Sequence, residues 1–211
     1  GKNANDLLDE YLKSVFWEMF EDYLTDKNNF KKIPDFITDD KNAIKAGPFG
    51  SSLKKECYVK KGYKIYGQEQ VIKDDLTFGD YYISKEKYEE LESYKIQEGD
   101  ILISLVGTYG KISIVPKNFE RGIINPRLMK ITLDKKKMNT IFFKFLFNSR
   151  IIKKELENYS HGGTMDIVNV GIVKRIGFPF PSLPLQQKFA NIVEKVERMK
   201  ENVKKTKQNS D

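Results

Sequence analysis

Two amphipathic segments, one at each end of the chain, constrain the fold more than any other feature. Residues 4–25 carry paired apolar side chains at about every fourth position, which predicts a helix. Residues 184–211 carry them at spacings of four and three, the heptad pattern of a helix that packs along a second helix. The predicted seam consists of Leu8, Leu12, Val15 and Met19 in the first segment and Phe189, Ile192, Val196, Met199 and Val203 in the second.

A helix with one apolar stripe needs a partner surface to bury it. We therefore expect the two helices to pair as an antiparallel coiled-coil-like spacer, within one chain or between two copies. The alternative is that the last helix simply docks on the chain's own domain. This organisation divides the chain into an N-terminal helix at 1–26, a globular domain at 27–183 and a C-terminal helix at 184–211.

The central region mixes strand and helix patterns without regular alternation, which predicts an α+β fold. Short strands are expected at 64–66 and 70–73. A hairpin is expected from 101–106 and 111–115, joined by a glycine-containing turn. Helices are expected after a Ser84 cap and over 140–159.

Charge favours a polyanionic partner such as nucleic acid, although many lysine-rich proteins share this bias. Lys and Arg number 37 against 30 Asp and Glu, which gives a net charge of +7, and lysines that neutralise phosphates release counterions.

The one cysteine, Cys57, excludes an internal disulfide and suits a reducing compartment. No apolar run reaches the roughly 18 residues that a membrane helix needs, so we expect a cytoplasmic protein without a membrane partner.

The motifs of common enzyme classes are missing from the sequence. One cysteine and one histidine are too few for structural zinc, and there is no G-x-S-x-G nucleophile motif. The glycine-rich segment at 47–54 places its lysine too late for a phosphate-binding P-loop. The run Asn125-Pro126-Arg127 departs at its third position from the Asn/Asp-Pro-Pro-aromatic motif of amino-methyltransferases. We therefore expect no catalytic residue, no metal and no bound cofactor.

Four segments, in order, resemble the type I restriction–modification specificity (S) subunit family. They are KAGPFGSSLKK at 45–55, EGDILIS with VGTYG at 98–110, GGT leading into VNV at 162–170, and FPFPSLPLQQ at 178–187. The N-terminal helix resembles the conserved helix that precedes a second target recognition domain in that family. Only one such domain is present, where full S subunits carry two. Three origins remain open: the C-terminal half of a longer subunit, a natural half-subunit, or a module of a related type II system.

The resemblance implies a non-catalytic specificity subunit. Each recognition domain would recognise one half of a bipartite site on double-stranded DNA, while the paired helices act as a spacer and dock the DNA adenine methyltransferase (M) subunit. S-adenosylmethionine belongs to that partner, and DNA cleavage to a restriction (R) subunit. A half-subunit would have to form a homodimer to present two recognition domains. A function from another class, a protein-interaction module without DNA binding, also remains open.

Residue types suggest which side chains would contact DNA. Exposed lysines beside glycine turns are candidates for phosphate contacts: Lys54, Lys55, Lys60, Lys61 and Lys111. Amide and guanidinium groups that bind adenine or guanine bidentately are provided by Gln68, Gln70, Asn125 and Arg127. Rings that pack on sugars or thymine methyls are provided by Tyr66, Tyr109 and His161. Glycines expected to shape loops through positive φ are Gly47, Gly50, Gly107, Gly110 and Gly163. Each candidate also has a structural alternative, such as a solvated lysine, an asparagine turn or a buried tyrosine.

Overall fold

Helices and strands are interspersed along residues 1–159 and 168–210, the part of the chain that the computed structural model describes. The α+β prediction is confirmed. The helices are α1 (Ala4–Thr25), α2 (Gln68–Lys73), α3 (Lys85–Glu90), α4 (Thr140–Phe147), α5 (Arg150–Glu157), α6 (Val170–Arg175) and α7 (Leu183–Ser210). The strands are β1 (Lys31–Lys32), β2 (Ile44–Ala46), β3 (Tyr58–Val59), β4 (Tyr63–Tyr66), β5 (Tyr82–Ile83), β6 (Ile101–Ser104), β7 (Ile112–Ile114), β8 (Gly122–Ile124), β9 (Leu128–Ile131) and β10 (Gly177–Phe178). Within the described residues, no helix combines the length and the apolar composition that a membrane-spanning segment requires.

The globular domain contains two four-stranded sheets and a two-stranded antiparallel sheet of β1 and β10. The first has the order β2-β9-β6-β7 and is antiparallel throughout. It contains the predicted hairpin, in which Leu102 lies opposite Ser113. The second has the order β3-β5-β4-β8, and β4 and β8 run parallel within it. Because β8 leads directly into β9, the short turn between them connects the two sheets.

Two local predictions were wrong. Residues 70–73 belong to helix α2 rather than to a strand, because the Gln70 side chain accepts a hydrogen bond from Gly67 N (2.7 Å) and closes the first helical turn. The predicted helix over 140–159 is two helices, α4 and α5. Ser149 separates them because its backbone is extended (ψ 157°), which ends one helix and starts the next.

The long terminal helices pack against each other within one chain, in antiparallel orientation. Lys200, in the second half of α7, forms an ion pair with Asp9 in the first half of α1. The ring of Phe189, near the start of α7, lies 5.4 Å from Phe16 and 5.5 Å from Phe20 on α1. The predicted pairing is thus confirmed, with its partner supplied in cis.

The buried stripe on α1 differs from the predicted seam. Its deepest residues recur every fourth position: Leu12, Phe16, Phe20 and Leu24. Leu8, Val15 and Met19 are only half-buried. The reason is that α1 packs on α4 as well as on α7, and two neighbours require a broader face than a heptad seam.

The seam on α7 is buried only along its first half. Phe189 and Val196 are fully buried, and Ile192 is half-buried. Further along, Met199 is 51% exposed and Val203 is 39% exposed. The far end of α7 thus leaves two predicted seam residues open to solvent.

Five phenylalanines join the helix pair to the globular domain. This Phe189 cluster consists of Phe16 and Phe20 from α1, Phe142 and Phe145 from α4, and Phe189 from α7. The ring of Phe189 lies 4.9 Å from that of Phe145. The cluster belongs to the same hydrophobic core as the inner face of the first sheet, so the helices are anchored to the domain by apolar packing.

Candidate nucleic-acid interface

A cleft opens where the parallel strands β4 and β8 end. Tyr66 lies opposite Ile124 in the register of these strands, so both end at the same edge of the sheet. Beyond this edge the chain continues into Gln68 on one side and into Asn125 and Arg127 on the other. The cleft has a volume of about 420 Å³, and four of the predicted base-contacting residues line it: Gln68, Gln70, Asn125 and Arg127. The structure therefore places candidates from distant parts of the sequence around one cavity.

Arg127 is exposed, and no described residue bonds its guanidinium group. Its backbone N donates to Asn125 Oδ1 (2.9 Å), which fixes the turn that carries both residues. That bond leaves the amide nitrogen of Asn125 as a donor beside the cleft. Among the predicted base-contacting residues that the structure describes, Arg127 is thus the one whose side-chain N–H donors are all free to bind a base.

Gln68 holds the neighbouring hairpin instead of facing outward. Its Oε1 accepts a hydrogen bond from Val106 N (3.2 Å), and its Nε2 donates to Val106 O. Both polar atoms of the Gln68 side-chain amide are therefore hydrogen-bonded to the backbone of Val106. The prediction that this amide contacts a base is corrected: it attaches the β6–β7 turn to the cleft.

Tyr66 and Gln70 are both largely buried, and the polar groups of their side chains bond to the protein's own backbone, although Gln70 also lines the inner wall of the cleft. Tyr66 is fully buried, and its hydroxyl donates to Glu120 O (2.5 Å). Burial raises the pKa of this hydroxyl well above its ordinary value. Gln70 is 6% exposed, and its Nε2 donates to Phe78 O (3.1 Å). Both residues have structural roles, so their predicted contacts with DNA are withdrawn.

A buried lysine supports the loop behind the cleft. Lys64 is fully buried. Its Nζ donates to Leu76 O (3.1 Å), Thr77 O (3.1 Å) and Glu120 Oε2 (3.0 Å). This residue satisfies two loop carbonyls at once, a role that sequence reasoning missed because lysine at a strand position is normally exposed.

Two tyrosines that sequence reasoning missed line the cleft. Tyr58 and Tyr81 have ring centroids 5.1 Å apart. Tyr81 is 58% exposed. Burial, with a smaller effect from Cys57, raises the pKa of the Tyr58 hydroxyl above its ordinary value. The β3–β5 pairing that brings these rings together had no local sequence signal, because each strand has only two residues.

The β6–β7 turn borders the cleft. Leu105 N donates to Arg127 O (3.0 Å), which adds to the Gln68 clamp. Gly107 and Gly110 have φ of 65° and 76°, a conformation that favours glycine. Tyr109 is half-buried and packs on the main core, whereas Lys111 is exposed.

Gly47 and Gly50 do not have positive φ, contrary to expectation. Gly47 is needed for a different reason, because a Cβ there would lie 1.9 Å from Asn125 O. At Gly50 a Cβ would meet nothing within 4 Å. Gly47 therefore permits a close backbone approach between its loop and the turn that carries Arg127.

The predicted phosphate-contacting lysines all lie at the surface. Lys54, Lys55, Lys60, Lys61 and Lys111 are exposed, and none forms an ion pair within the described residues. His161 and Gly163 lie outside the described residues. Across 1–159 and 168–210, no three His, Cys, Asp or Glu side chains are placed to hold a metal ion.

Comparison with known proteins identifies one family. The family described as "Type I restriction modification DNA specificity domain" matches residues 26–210. No curated protein sequence matches the chain.

Three solved structures share the fold at low sequence identity. One, from work on complex assembly and conformational transition of the type I R-M system, has a TM-score of 0.55 at 12% identity, covering 97% of this chain and 49% of the other. The type I S subunit from M. genitalium gives 0.54 at 14%, covering 96% and 48%. The HsdS subunit from Thermoanaerobacter tengcongensis gives 0.56 at 13%, covering 96% and 48%. The chain therefore spans about half the length of these structures.

Proposed function

The chain belongs to the family of type I restriction modification DNA specificity domains, and we propose that it recognises one half of a bipartite DNA site for an adenine methyltransferase. In this proposal the chain itself carries out no reaction. The methyltransferase partner binds S-adenosylmethionine and modifies the DNA, and a restriction subunit cleaves it. The three-part organisation expected from the sequence, with the recognition domain at 27–183 between two spacer helices, is part of the proposal.

The observation that carries the proposal is the cleft beyond β4 and β8. It combines the free guanidinium of Arg127, the amide of Asn125 and the exposed ring of Tyr81. Such groups recognise base edges and pack on sugars, whereas a catalytic site requires a nucleophile, base or metal ligand set. The proposed specificity contacts are therefore Arg127 and Asn125, with Tyr109 and His161 kept as sequence-based candidates.

We propose that exposed lysines in the segments that carry or adjoin the cleft residues contact phosphates. Lys54 and Lys55 follow the loop that Gly47 holds against Asn125, while Lys111 ends the β6–β7 turn. Lys60 and Lys61 lie in the turn between β3 and β4. Along the sequence, these lysines lie shortly before or after the segments that form the cleft. Phosphate contacts from such positions would fix the register of a bound duplex.

A salt titration of duplex binding tests the phosphate contacts. Fluorescence anisotropy of a labelled duplex should give a logarithmic binding constant that falls linearly with the logarithm of salt concentration. The double substitution Lys54→Ala and Lys55→Ala should weaken binding to every sequence and make this slope shallower by roughly two. Lys204→Ala with Lys205→Ala is the matched control, because this exposed pair on α7 removes the same charge away from the cleft. Equal slopes for all three proteins would remove Lys54 and Lys55 from the interface.

Arg127 tests base recognition separately. Arg127→Ala should lower affinity by about 1–3 kcal/mol for duplexes with the preferred base at one position, and hardly at all for others. A uniform loss across sequences would assign the guanidinium to a phosphate instead.

The half-length match raises the question of a second recognition domain. We propose that it comes either from the other half of a longer subunit or, in a natural half-subunit, from a second copy in a homodimer. Sedimentation at micromolar concentration distinguishes these: a dimer supports the half-subunit, and a monomer supports a longer parent chain. Sedimentation would not separate a module of a related type II system from a type I subunit. The genes that neighbour the gene of this chain and its methyltransferase would distinguish the two systems.

The groove beside the helix pair is the proposed docking site for the methyltransferase. It lies between α1, α4, α5 and α7 and has a volume of about 1180 Å³, and apolar side chains such as Phe145 and Trp17 line it together with charged ones such as Lys153. Trp17→Glu should abolish co-purification with the methyltransferase because it removes the large apolar ring and would bury a carboxylate beneath the docked partner. Tyr11→Glu is the matched control, since Tyr11 is an exposed aromatic residue on the same helix but outside the groove.

The competing function, a protein-interaction module without DNA binding, predicts different results. Partner binding would then persist while no duplex is retained at any salt concentration. Calorimetry with S-adenosylmethionine separates a third class, a methyltransferase, which would release or absorb heat on cofactor binding.

A further inference from the structure

Phe49 is the most exposed large hydrophobic side chain among the described residues. It is 83% exposed, compared with 58% for Tyr81, the next in order. Single exposed apolar residues are common on protein surfaces, so exposure alone indicates nothing. What distinguishes Phe49 is the way the chain around it is held.

The loop on both sides of Phe49 is fixed by hydrogen bonds and buried residues. Before it, Gly47 N donates to Leu128 O (2.9 Å), and Pro48 is buried. After it, Ser52 N donates to Phe49 O (2.8 Å), and Leu53 is 7% exposed. The ring is therefore presented outward from a rigid backbone, and little conformational entropy would be lost if it bound a partner.

The surroundings of this loop favour DNA as that partner. Gly47 touches the Asn125–Pro126 peptide so closely that no other residue fits, which places the loop beside the turn that carries Arg127. Two exposed lysines, Lys54 and Lys55, follow shortly after Phe49. A protruding apolar ring on a loop that contacts the Arg127 turn and leads into two lysines suits a DNA duplex, which is anionic outside and stacked with bases inside.

We infer that Phe49 is a specificity-determining residue that inserts its ring as an apolar wedge against a base step of the bound duplex. Apolar wedges of this kind partly unstack bases and kink the duplex. The energy of that deformation depends on sequence, because pyrimidine–purine steps unstack most easily. Phe49 would thus add indirect recognition to the direct contacts of Arg127. The inference rests on the proposed function and deepens it.

The test compares variants on a duplex that the parent chain selects from a randomised pool. Phe49→Ala should weaken binding to this duplex by roughly tenfold to a hundredfold, the loss expected when a buried phenyl ring is removed. The salt slope should stay unchanged, because an apolar contact releases no counterions. Phe49→Leu, which keeps an apolar wedge, should retain most of the affinity. The thermal midpoint should not move, since Phe49 supports no part of the core.

A fluorescent base analogue reports the wedge directly. With 2-aminopurine placed at successive steps of the selected duplex, the parent chain should increase emission at one step, and Phe49→Ala should lose that increase. Tyr11→Ala is the control for removal of an exposed aromatic ring, because Tyr11 is 52% exposed on α1. It should bind the duplex like the parent chain.

Three results would overturn the inference, and they separate it from the proposed function. Equal duplex binding by the parent chain and Phe49→Ala, with Arg127→Ala impaired, refutes the wedge alone. Loss of methyltransferase co-purification in Phe49→Ala with unchanged duplex binding assigns the ring to a protein contact. A folded parent chain that selects no duplex, alone or with its methyltransferase, removes both the wedge and the proposed function.

Discussion

Replacing Phe189 by alanine should destabilise the protein more than any other single change on the terminal helices. Its ring is fully buried and lies within 6.5 Å of four other phenylalanine rings, which come from α1 and α4. Removing a buried phenylalanine costs about 3–5 kcal/mol through lost transfer energy and the cavity left behind. Because total stabilities are about 5–15 kcal/mol, this is a large fraction of the free energy of unfolding.

Urea denaturation followed by far-UV circular dichroism measures this loss. The midpoint should fall with little change in slope, and the thermal midpoint should drop by roughly 6–20 °C for a domain of this size. Met199→Ala is the matched control, since it occupies the same predicted heptad seam but is 51% exposed. It should change the free energy of unfolding by less than about 0.5 kcal/mol, like other surface substitutions. If both variants lose the same stability, the helix pair is held along a continuous seam and the Phe189 cluster is not its anchor.

Four further substitutions, one of them a control, test the cleft and its support. Gly47→Ala should destabilise the protein by about 3 kcal/mol because its Cβ would meet Asn125 O at 1.9 Å. Gly50→Ala should be neutral because its Cβ meets nothing within 4 Å, and comparable losses in urea would refute the close approach. Lys64→Met should cost about 1–3 kcal/mol by leaving two loop carbonyls without a donor; an unchanged urea midpoint would contradict this role. The raised pKa of Tyr66 contributes stability that is complete below the ordinary pKa of 10.0 and is lost as pH rises through the raised value. Tyr66→Phe should therefore show a shallower loss of stability above pH 10 than the parent chain, and parallel pH profiles would contradict the assignment.

The helix pair could be predicted because helical periodicity is a local signal. Phe16 and Phe20 belong to the paired apolar positions that predicted this helix, but the predicted seam left them out, since the sequence does not reveal that α1 has two neighbours. The pairing partner was left open for a similar reason: a heptad seam looks the same whether it packs within one chain or between two. Tertiary packing, and not helix propensity, determines which face of α1 is buried and which helix pairs with it.

The cleft could be predicted by residue type but not by geometry. The sequence indicated Arg127 and Asn125 as base-contacting residues, yet only the parallel pairing of β4 with β8 brings them next to α2. Such pairing depends on contacts between distant segments and has no local pattern. Gln68 and Gln70 show the limit of the approach, because a glutamine amide suits a base edge and a protein backbone equally well.

Selection from a randomised duplex pool, followed by sequencing, tests the central claim most directly. We expect the parent chain, alone or with its methyltransferase, to enrich one short motif, present once for a single recognition domain and twice for a homodimer, and we expect Arg127→Ala to lose the preference at one base pair of that motif. Enrichment of no motif by a folded chain, or the same motif with undiminished preference from Arg127→Ala, would contradict recognition through the cleft beyond β4 and β8.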